Sequence, residues 1–174
     1  PHATIENINI DKSCSFTSNG SYTGAVVGCC FRPTLKNCHN LGATVNGVDY
    51  VGGVAGYATG ENHYYSTSYN YKHISYYVLY TGHVTDCSSE GSVSGRCYVG
   101  GLLGAIGSYC TLERNLVGMQ SAKNDVITVE GTNSVGAVTG SGNGSPQTAN
   151  YYNGMVVVRK IGEAESWGFG YGRG

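Results

Sequence analysis

A six-residue phrase that recurs four times is the strongest constraint on how this chain can fold. Each copy begins with an apolar residue or Thr, continues with Gly and then Gly or Ala, and closes on Gly. The copies occupy residues 23–28, 51–56, 99–104 and 135–140. Such repetition is typical of a solenoid, because each repeat must stack on its neighbours to bury its apolar side chains.

The spacing of the copies defines a repeat and its interruptions. The closing glycines Gly28, Gly56, Gly104 and Gly140 are separated by 28, 48 and 36 residues. We infer a basic unit of about 28 residues, with additional segments in the second and third intervals. The predicted single domain, 1–174, has repeats at approximately 14–28, 37–56, 86–104 and 115–140, an insert at 60–81, a second insert between Met119 and Asn124, and a C-terminal cap or tail at 150–174.

The sequence between the copies favours strands. Short stretches rich in Val, Ile, Thr and Tyr are bounded by Gly, Asn or Ser, and no long window carries apolar residues at helical spacing. Gly and Ala in the phrase would let two backbones approach closely, while Val and Leu fill the interior. The predicted fold is all-β: a β-solenoid, similar to a parallel β-helix, of about four coils with a Tyr-rich insertion.

Residues around the phrase have predicted places in a coil. A tyrosine precedes three copies, at Tyr22, Tyr50 and Tyr98. Glycines before the phrase are expected to mark one corner: Gly20, Gly47, Gly95 and Gly131. Asn37 and Asp86 occupy equivalent positions, where their side chains are expected to bond to turn backbone. Cys14, Cys38 and Cys87 are expected to stack in the interior as small apolar side chains.

Composition excludes several classes of function. Charged residues make up 12% of the chain and the net charge is -1, so no basic stripe exists to neutralise a nucleic-acid backbone. No apolar run approaches the roughly 20 residues of a membrane span, so we expect no membrane insertion in this segment. Because the first residue is Pro1 rather than Met, we expect a processed or trimmed product.

Metal and cofactor sites are not expected. The seven cysteines are an odd number, which excludes a complete set of internal disulfides, and no C-x-x-C spacing is present. His63, His73 and His83 lie ten residues apart, a spacing that does not bring ligands together on a strand or a helix. We therefore predict neither a metal nor a cofactor, and we assign no catalytic residue.

The second and third copies of the phrase, 51–56 and 99–104, carry a resemblance to a known family. Together with Asn37-Cys38 and the segment 91–95, they are similar to the GLUG-motif repeat of bacterial surface and secreted proteins. The resemblance covers roughly residues 20–140. It implies a β-solenoid in an adhesin-like protein, located outside the cell or on the bacterial cell surface. It offers no catalytic residues.

The insert at 60–81 is the best candidate for a binding site. It holds seven of the chain's 15 tyrosines. Tyrosine rings stack on sugar rings and their hydroxyls bond to sugar hydroxyls at low entropic cost. The alternative is that these tyrosines cover the solenoid flank and pack locally. The predicted ligand-binding residues are Tyr64, Tyr65, Tyr69, Tyr71, Tyr76 and Tyr77.

Three hypotheses of function remain open. The first is a non-enzymatic adhesin-like module that binds host or microbial glycans or matrix proteins. The second is a polysaccharide-active β-helix enzyme, which rests on fold analogy alone. The third is a structural spacer or filament subunit that associates end to end through uncapped strand edges.

Overall fold

The protein is all-β, as the sequence predicts. The computed structural model describes residues 2–69, 71–118, 126–142, 147–152 and 156–161, and the backbone of residues 166–167. Within these ranges the chain forms strands and no helix. Nearly all strand pairs are parallel and join segments distant in sequence, an arrangement that is typical of a β-solenoid. The predicted second insert between Met119 and Asn124 lies outside the described residues.

Three parallel sheets contain strands from both ends of the chain. Sheet 1 consists of β1 (Ala3–Glu6), β6 (Pro33–Lys36), β13 (Gly82–Thr85), β18 (Cys110–Glu113) and β23 (Gln147–Thr148). Sheet 2 consists of β2 (Asn9–Asp11), β7 (His39–Leu41), β14 (Ser88–Ser89), β19 (Leu116–Val117) and β24 (Tyr151–Tyr152). Sheet 3 consists of β3 (Ser15–Thr17), β8 (Thr44–Asn46), β15 (Val93–Ser94), β20 (Ile127–Gly131) and β25 (Val156–Lys160), to which β26 (Ser166–Trp167) adds antiparallel.

Two further parallel sheets contain the glycine phrase. Sheet 4 consists of β4 (Thr23–Gly24), β9 (Asp49–Gly52), β16 (Cys97–Gly100) and β21 (Asn133–Gly136). Sheet 5 consists of β5 (Val27–Phe31), β10 (Ala55–Thr59), β17 (Leu103–Ile106) and β22 (Thr139–Gly142). Each copy of the phrase therefore starts in sheet 4 and ends in sheet 5. The strand register places all four copies side by side.

The glycines of the phrase allow sheets 4 and 5 to touch. A Cβ atom on Gly52 would lie 2.6 Å from the backbone nitrogen of Gly104 and 2.7 Å from Cα of Leu103. A Cβ atom on Gly56 would lie 2.5 Å from the carbonyl oxygen of Tyr50. Such distances leave no room for a side chain, so glycine is required by close backbone approach, as the sequence predicts.

Apolar side chains fill the interior in columns that follow the strand register. Sheet 1 contributes Leu35, Val84 and Leu112, and sheet 3 contributes Val45, Val93 and Val129, all of them buried. Each fully buried side chain of this size stabilises the fold by about 1.5–3 kcal/mol relative to leaving it exposed. The core is thus shared between repeats, and no single repeat could bury it alone.

Buried amides supplement this apolar core. The Asn40 side chain in sheet 2 is fully buried and donates to the carbonyl oxygens of Ala43 and Gly53 at 2.9 and 3.0 Å. Asn115 donates to the Asn150 Oδ1 atom at 2.8 Å, and Asn150 in turn donates to the carbonyl of Leu112. These contacts satisfy polar groups that would otherwise be costly to bury, and those of Asn150 also join neighbouring turns of the chain.

One turn position adopts positive φ throughout the chain. Asn7, Asn37, Asp86, Arg114 and Ala149 have φ between 52° and 58°. The turn role predicted for Asn37 and Asp86 is confirmed, since Asn and Asp tolerate this conformation best. The expected bonding to turn backbone is not what these side chains do. Asn37 instead donates to Asn7 Oδ1 at 2.7 Å, and Asp86 accepts from Arg114.

The predicted cysteine stack is correct at two of its three positions. Cys38 and Cys87 are buried next to paired residues of sheet 2, whereas Cys14 is exposed. The pairing of Ser15 with Thr44 places Cys14 beside Ala43. The residue in line with Cys38 is Ile8, because Asn9 pairs with His39, so Cys14 belongs to the following turn of the coil and not to the cysteine column.

The predicted glycine corner is also correct only in part. Gly47, Gly95 and Gly131 are in register, because each follows a paired residue of sheet 3. Gly20 is not, since the pairing of Thr17 with Asn46 places Ser18 beside Gly47. A Cβ atom on Gly20 would meet its nearest neighbour at 3.6 Å, an ordinary contact. The first loop contains one extra residue here, and it needs no glycine for close packing.

Candidate functional site

A long antiparallel hairpin occupies most of the predicted insert. It consists of β11 (Glu61–Tyr69) and β12 (Lys72–Tyr80), paired along nine residues from Glu61 opposite Tyr80 to Tyr69 opposite Lys72. Its Tyr, Thr, Ile and Val residues favour extended backbone. The strands are joined by a two-residue loop, in which Tyr71 has a φ of 61°, as tight hairpin turns require.

Side chains of the hairpin alternate between two faces. We call one the anchored face, because its base is bonded to the rest of the protein; it consists of Glu61, His63, Tyr65, Thr67, Tyr69, Lys72, Ile74, Tyr76, Val78 and Tyr80. We call the other the free face; it consists of Asn62, Tyr64, Ser66, Ser68, His73, Ser75, Tyr77 and Leu79.

The alternation divides the six tyrosines predicted to bind a ligand. Tyr65, Tyr69 and Tyr76 lie on the anchored face, Tyr64 and Tyr77 lie on the free face, and Tyr71 lies in the turn. All six are exposed, from 38% for Tyr65 to full exposure for Tyr71. The structure therefore does not bring them together in one site, and it offers two separate aromatic surfaces.

Both faces carry an aromatic pair across the strands. On the anchored face the rings of Tyr65 and Tyr76 stack with centroids 5.4 Å apart and an interplanar angle of 18°. On the free face the rings of Tyr64 and Tyr77 are 5.1 Å apart and tilted by 51°. Cross-strand aromatic pairs stabilise a hairpin by roughly 0.2–1 kcal/mol each. The local packing expected as the alternative to binding thus exists, although it leaves these rings in solvent.

Arg32 fixes the base of the anchored face. Its Nε atom donates to the Glu61 carboxylate at 2.7 Å, its Nη2 atom also contacts that carboxylate, and the guanidinium lies 4.0 Å from the centre of the Tyr80 ring. His63 contacts the other oxygen of Glu61. The Arg32 guanidinium is the main cause that holds the pKa of Glu61 below its ordinary value.

The hydroxyls at this base are linked as well. The Tyr65 and Tyr80 hydroxyl oxygens lie 3.4 Å apart, and this hydrogen bond raises the pKa of Tyr65. The His63 ring lies 5.5 Å from the Tyr65 ring. The anchored face therefore combines a positioned aromatic pair with a carboxylate, an imidazole and phenolic hydroxyls. These are groups that can stack on a polar ring and bond to its hydroxyls.

The three histidines considered as metal ligands lie apart. His63 contacts Glu61 on the anchored face, His73 bonds to Ser68 at 2.9 Å on the free face, and His83 in β13 bonds to Thr81 and Thr111. No group of three or more His, Cys, Asp and Glu side chains among the described residues could hold a metal ion.

A second aromatic cluster lies outside the hairpin. Tyr22, Tyr50 and Tyr98, the residues that precede the phrase, form a column with ring centroids 4.8 and 4.6 Å apart, and Tyr57 packs edge-on against Tyr50. The recurrence of tyrosine before the phrase is the sequence signal for this column. The three rings come into contact only because the repeats stack in register.

Acidic side chains outside the hairpin bridge neighbouring turns. Asp49 accepts from Arg96 at 2.6 and 3.0 Å, and Asp86 accepts from Arg114 at 2.7 and 3.0 Å. These hydrogen bonds lower the pKa of both carboxyls. Because each carboxylate is bonded to an arginine of the next turn, the observed role of these two residues is to link repeats.

Three of the four buried thiols have a raised pKa. Burial is the main cause that raises the pKa of Cys30, Cys87 and Cys110 to about 12 in each case. The Cys87 Sγ atom donates to the carbonyl of Thr85 at 3.2 Å. These side chains therefore serve packing in the interior.

Two broader observations complete the description. Within the described ranges, no helix is long and apolar enough to cross a bilayer. A comparison with known protein families, characterised proteins and solved structures found no match for this chain.

Proposed function

We propose that this protein is a non-enzymatic, adhesin-like module that binds glycans through the hairpin. Its scaffold is a β-solenoid of about four coils, into which β11 and β12 are inserted as a projecting arm. The observation that carries the proposal is the exposed Tyr65–Tyr76 stack above a base held by Arg32. Host or microbial glycans are the first ligands to consider, and matrix proteins are the second.

The anchored face suits a sugar better than the free face does. Tyr65 and Tyr76 provide ring surface, while Glu61 and His63 provide hydrogen-bonding groups next to it. Because Arg32 already orders Glu61 and Tyr80, less freedom is lost when a ligand binds. On the free face, Tyr64 bonds to Ser75 at 2.9 Å, and the other side chains next to the Tyr64–Tyr77 pair are those of Asn62, Ser66 and Leu79, none of which is ionisable.

The resemblance of the repeats to the GLUG motif supports an extracellular or bacterial cell-surface location. A solenoid stacks its repeats into a stiff support, and inserted segments on one side of such supports commonly carry binding. The hairpin fits this division of roles, since the repeats bury apolar side chains against one another while the hairpin leaves its tyrosines in solvent.

The test is a glycan array combined with a panel of matrix proteins. The first variant changes Tyr64, Tyr65, Tyr69 and Tyr71 to Ala. We expect it to bind none of the ligands that the wild type binds. Two matched variants then separate the faces, because each removes one cross-strand aromatic pair: Tyr65→Ala/Tyr76→Ala on the anchored face and Tyr64→Ala/Tyr77→Ala on the free face.

We expect the anchored-face variant to lose about tenfold or more in affinity, since two ring contacts together contribute on the order of 1.4 kcal/mol. The free-face variant should stay within about threefold of the wild type, a difference of less than 1 kcal/mol. Equal binding by the wild type and the variant with four Tyr→Ala changes would refute the assignment of the binding site to the hairpin. A loss confined to the free-face variant would move the site to that face.

A further inference from the structure

The outer edge of β12 is an unused sheet edge. Among the described strands, β12 pairs with β11 alone, and the two form a sheet of two strands that is separate from the five parallel sheets. The strand is nine residues long. On its outer side every second residue presents an N–H and a C=O group to solvent, which is a template for another strand.

β12 lacks the features that usually protect such an edge. It contains no Pro, and its one charged residue, Lys72, stands at its beginning next to the turn. The remaining sequence is rich in Ile, Val and Tyr, residue types that favour strands. Ile74, Tyr77 and Leu79 are exposed, so pairing along this edge would shelter apolar surface as well as backbone groups.

We propose that two copies of this chain associate by antiparallel pairing of β12 with β12, centred on Tyr76. Pairing about a two-fold axis at Tyr76 places Tyr76 opposite Tyr76 of the second copy and Ile74 opposite Val78 of the second copy. Aromatic and β-branched pairs of this kind stabilise antiparallel strands. The result is one four-stranded sheet made of two hairpins.

The charges of the strand agree with a second copy as the partner. The axis places Lys72 opposite Tyr80 of the second copy, so the two lysines lie at opposite ends of the new pairing and no like charges meet. The faces of the joined sheet keep the order of the hairpin, because symmetric pairing preserves the alternation of side chains. Both anchored faces then lie on the same side of the four-stranded sheet.

The edge of β11 is less suited to the same contact. Its first and third residues, Glu61 and His63, are in contact with each other and with Arg32, which concentrates charged groups at that end. β12 also carries one charged residue and one histidine, but Lys72 and His73 stand together next to the turn. The rest of β12 is uncharged, so a second copy can approach most of this edge without desolvating a charged side chain.

The contact is small, so we expect a weak dimer with a dissociation constant on the order of 100 µM. The first experiment is sedimentation equilibrium of the full chain from about 10 µM to 1 mM, a range that brackets this value. Self-association over this range supports the proposal. A wild type that stays monomeric at the highest concentration overturns it.

Two double variants test the register. Ile74→Lys/Val78→Lys places lysine opposite lysine at two positions, and it should weaken the dimer about tenfold or more. Ile74→Lys/Val78→Glu changes the same positions but places opposite charges across the axis, so it should associate at least as well as the wild type. Equal dissociation constants for the two variants would overturn the proposed pairing, and circular dichroism confirms that both are folded.

Amide hydrogen exchange gives a measurement that does not depend on a variant. Raising the protein concentration should slow exchange at alternate residues of β12 and leave β11 unchanged. Protection that grows along β11 instead would overturn the choice of edge. All six candidate tyrosines remain in both double variants. Glycan binding and self-association can therefore be measured on the same variants, and a negative result for one does not decide the other.

Discussion

The ring of Tyr50 stacks on the ring of Tyr98 with centroids 4.6 Å apart and an interplanar angle of 17°. Tyr22 stacks on the opposite side of Tyr50 at 4.8 Å and 14°. These separations match the spacing of about 4.8 Å between neighbouring strands. The column of rings is therefore a direct consequence of repeats that stack in register, and Tyr50 is its centre.

Tyr50→Ala should destabilise the protein by about 1–3 kcal/mol, because it removes two stacked pairs that each contribute roughly 0.5–1.5 kcal/mol. Denaturant titration measures the change. The matched control is Tyr109→Ala, since Tyr109 has the same φ of 56° as Tyr50 but lies outside the column. Equal losses for the two variants would show that the stack contributes nothing beyond backbone conformation.

Gly52→Ala should lower the stability of the fold strongly for so small a change in side chain. Its Cβ would lie 2.6 Å from the nitrogen of Gly104, so sheets 4 and 5 must separate. Overpacking of this kind costs typically about 1–3 kcal/mol, and more where backbone must move. Gly20→Ala is the control: its nearest neighbour would be 3.6 Å away, and we expect no loss or a gain of up to about 1 kcal/mol.

The denaturation midpoints of these two variants decide whether the phrase is a packing requirement. If Gly52→Ala unfolds at the same denaturant concentration as the wild type, the close contact between sheets 4 and 5 is not a source of stability. If Gly52→Ala and Gly20→Ala lower the denaturation midpoint equally, the loss of stability comes from replacing glycine with alanine in general and not from the contact between sheets 4 and 5.

Much of the scaffold could be predicted because its signal repeats. The phrase containing Gly52 and Gly104 requires close backbone approach at every copy, so one physical cause leaves four marks in the sequence. Cys14 and Gly20 match the repeat by residue type alone, and strand pairing places Ile8 beside Cys38 and Ser18 beside Gly47 instead. The sequence does not reveal these positions, because the turn residue in line with Cys38 is of another type and because the cost of a changed loop length is too low to leave a pattern.

The hairpin shows the same limit in its candidate site. Its tyrosine content is visible in the sequence, yet the separation of Tyr64 and Tyr65 onto opposite faces depends on strand pairing. The turn that contains Tyr71 sets which residues lie opposite one another. Arg32, 29 residues before Glu61, could not be connected with the hairpin from spacing, because only the stacking of turns brings them together.

Thiol reactivity should follow burial. Cys30, Cys87 and Cys110 have pKa values of about 12, so on the order of one thiol in 10⁴ is ionised at pH 8. Cys14 is exposed. We expect iodoacetamide to modify Cys14 in the native protein and these three buried thiols only after unfolding, as measured by peptide mass spectrometry.

The control for this experiment is Cys14→Ser, which should remove the fast-reacting site without changing the slow ones. Rapid native modification of Cys87 would contradict the packing described here, since its Sγ atom is buried and donates to Thr85. Guanidinium chloride should make all seven cysteines reactive at similar rates.

The base of the hairpin should loosen in acid. The pKa of Glu61 is lowered from its ordinary value of 4.5, chiefly by hydrogen bonding to Arg32. A carboxyl with a lowered pKa stabilises the folded state fully above its ordinary pKa, and this contribution is lost as pH falls through the lowered value. Protection of hairpin amides, corrected for intrinsic exchange, should therefore be unchanged from pH 7 to 5 and fall several-fold towards pH 3.

Glu61→Gln distinguishes this cause from general acid unfolding. The variant should show reduced hairpin protection already at pH 7, with little further loss in acid, because its amide cannot ionise. Glu113→Gln, in β18 and bonded to Arg114, removes a carboxylate away from the hairpin and should leave the pH response of the hairpin intact. An acid response that persists in Glu61→Gln would place the titrating group elsewhere and refute the anchoring role of the Arg32–Glu61 pair.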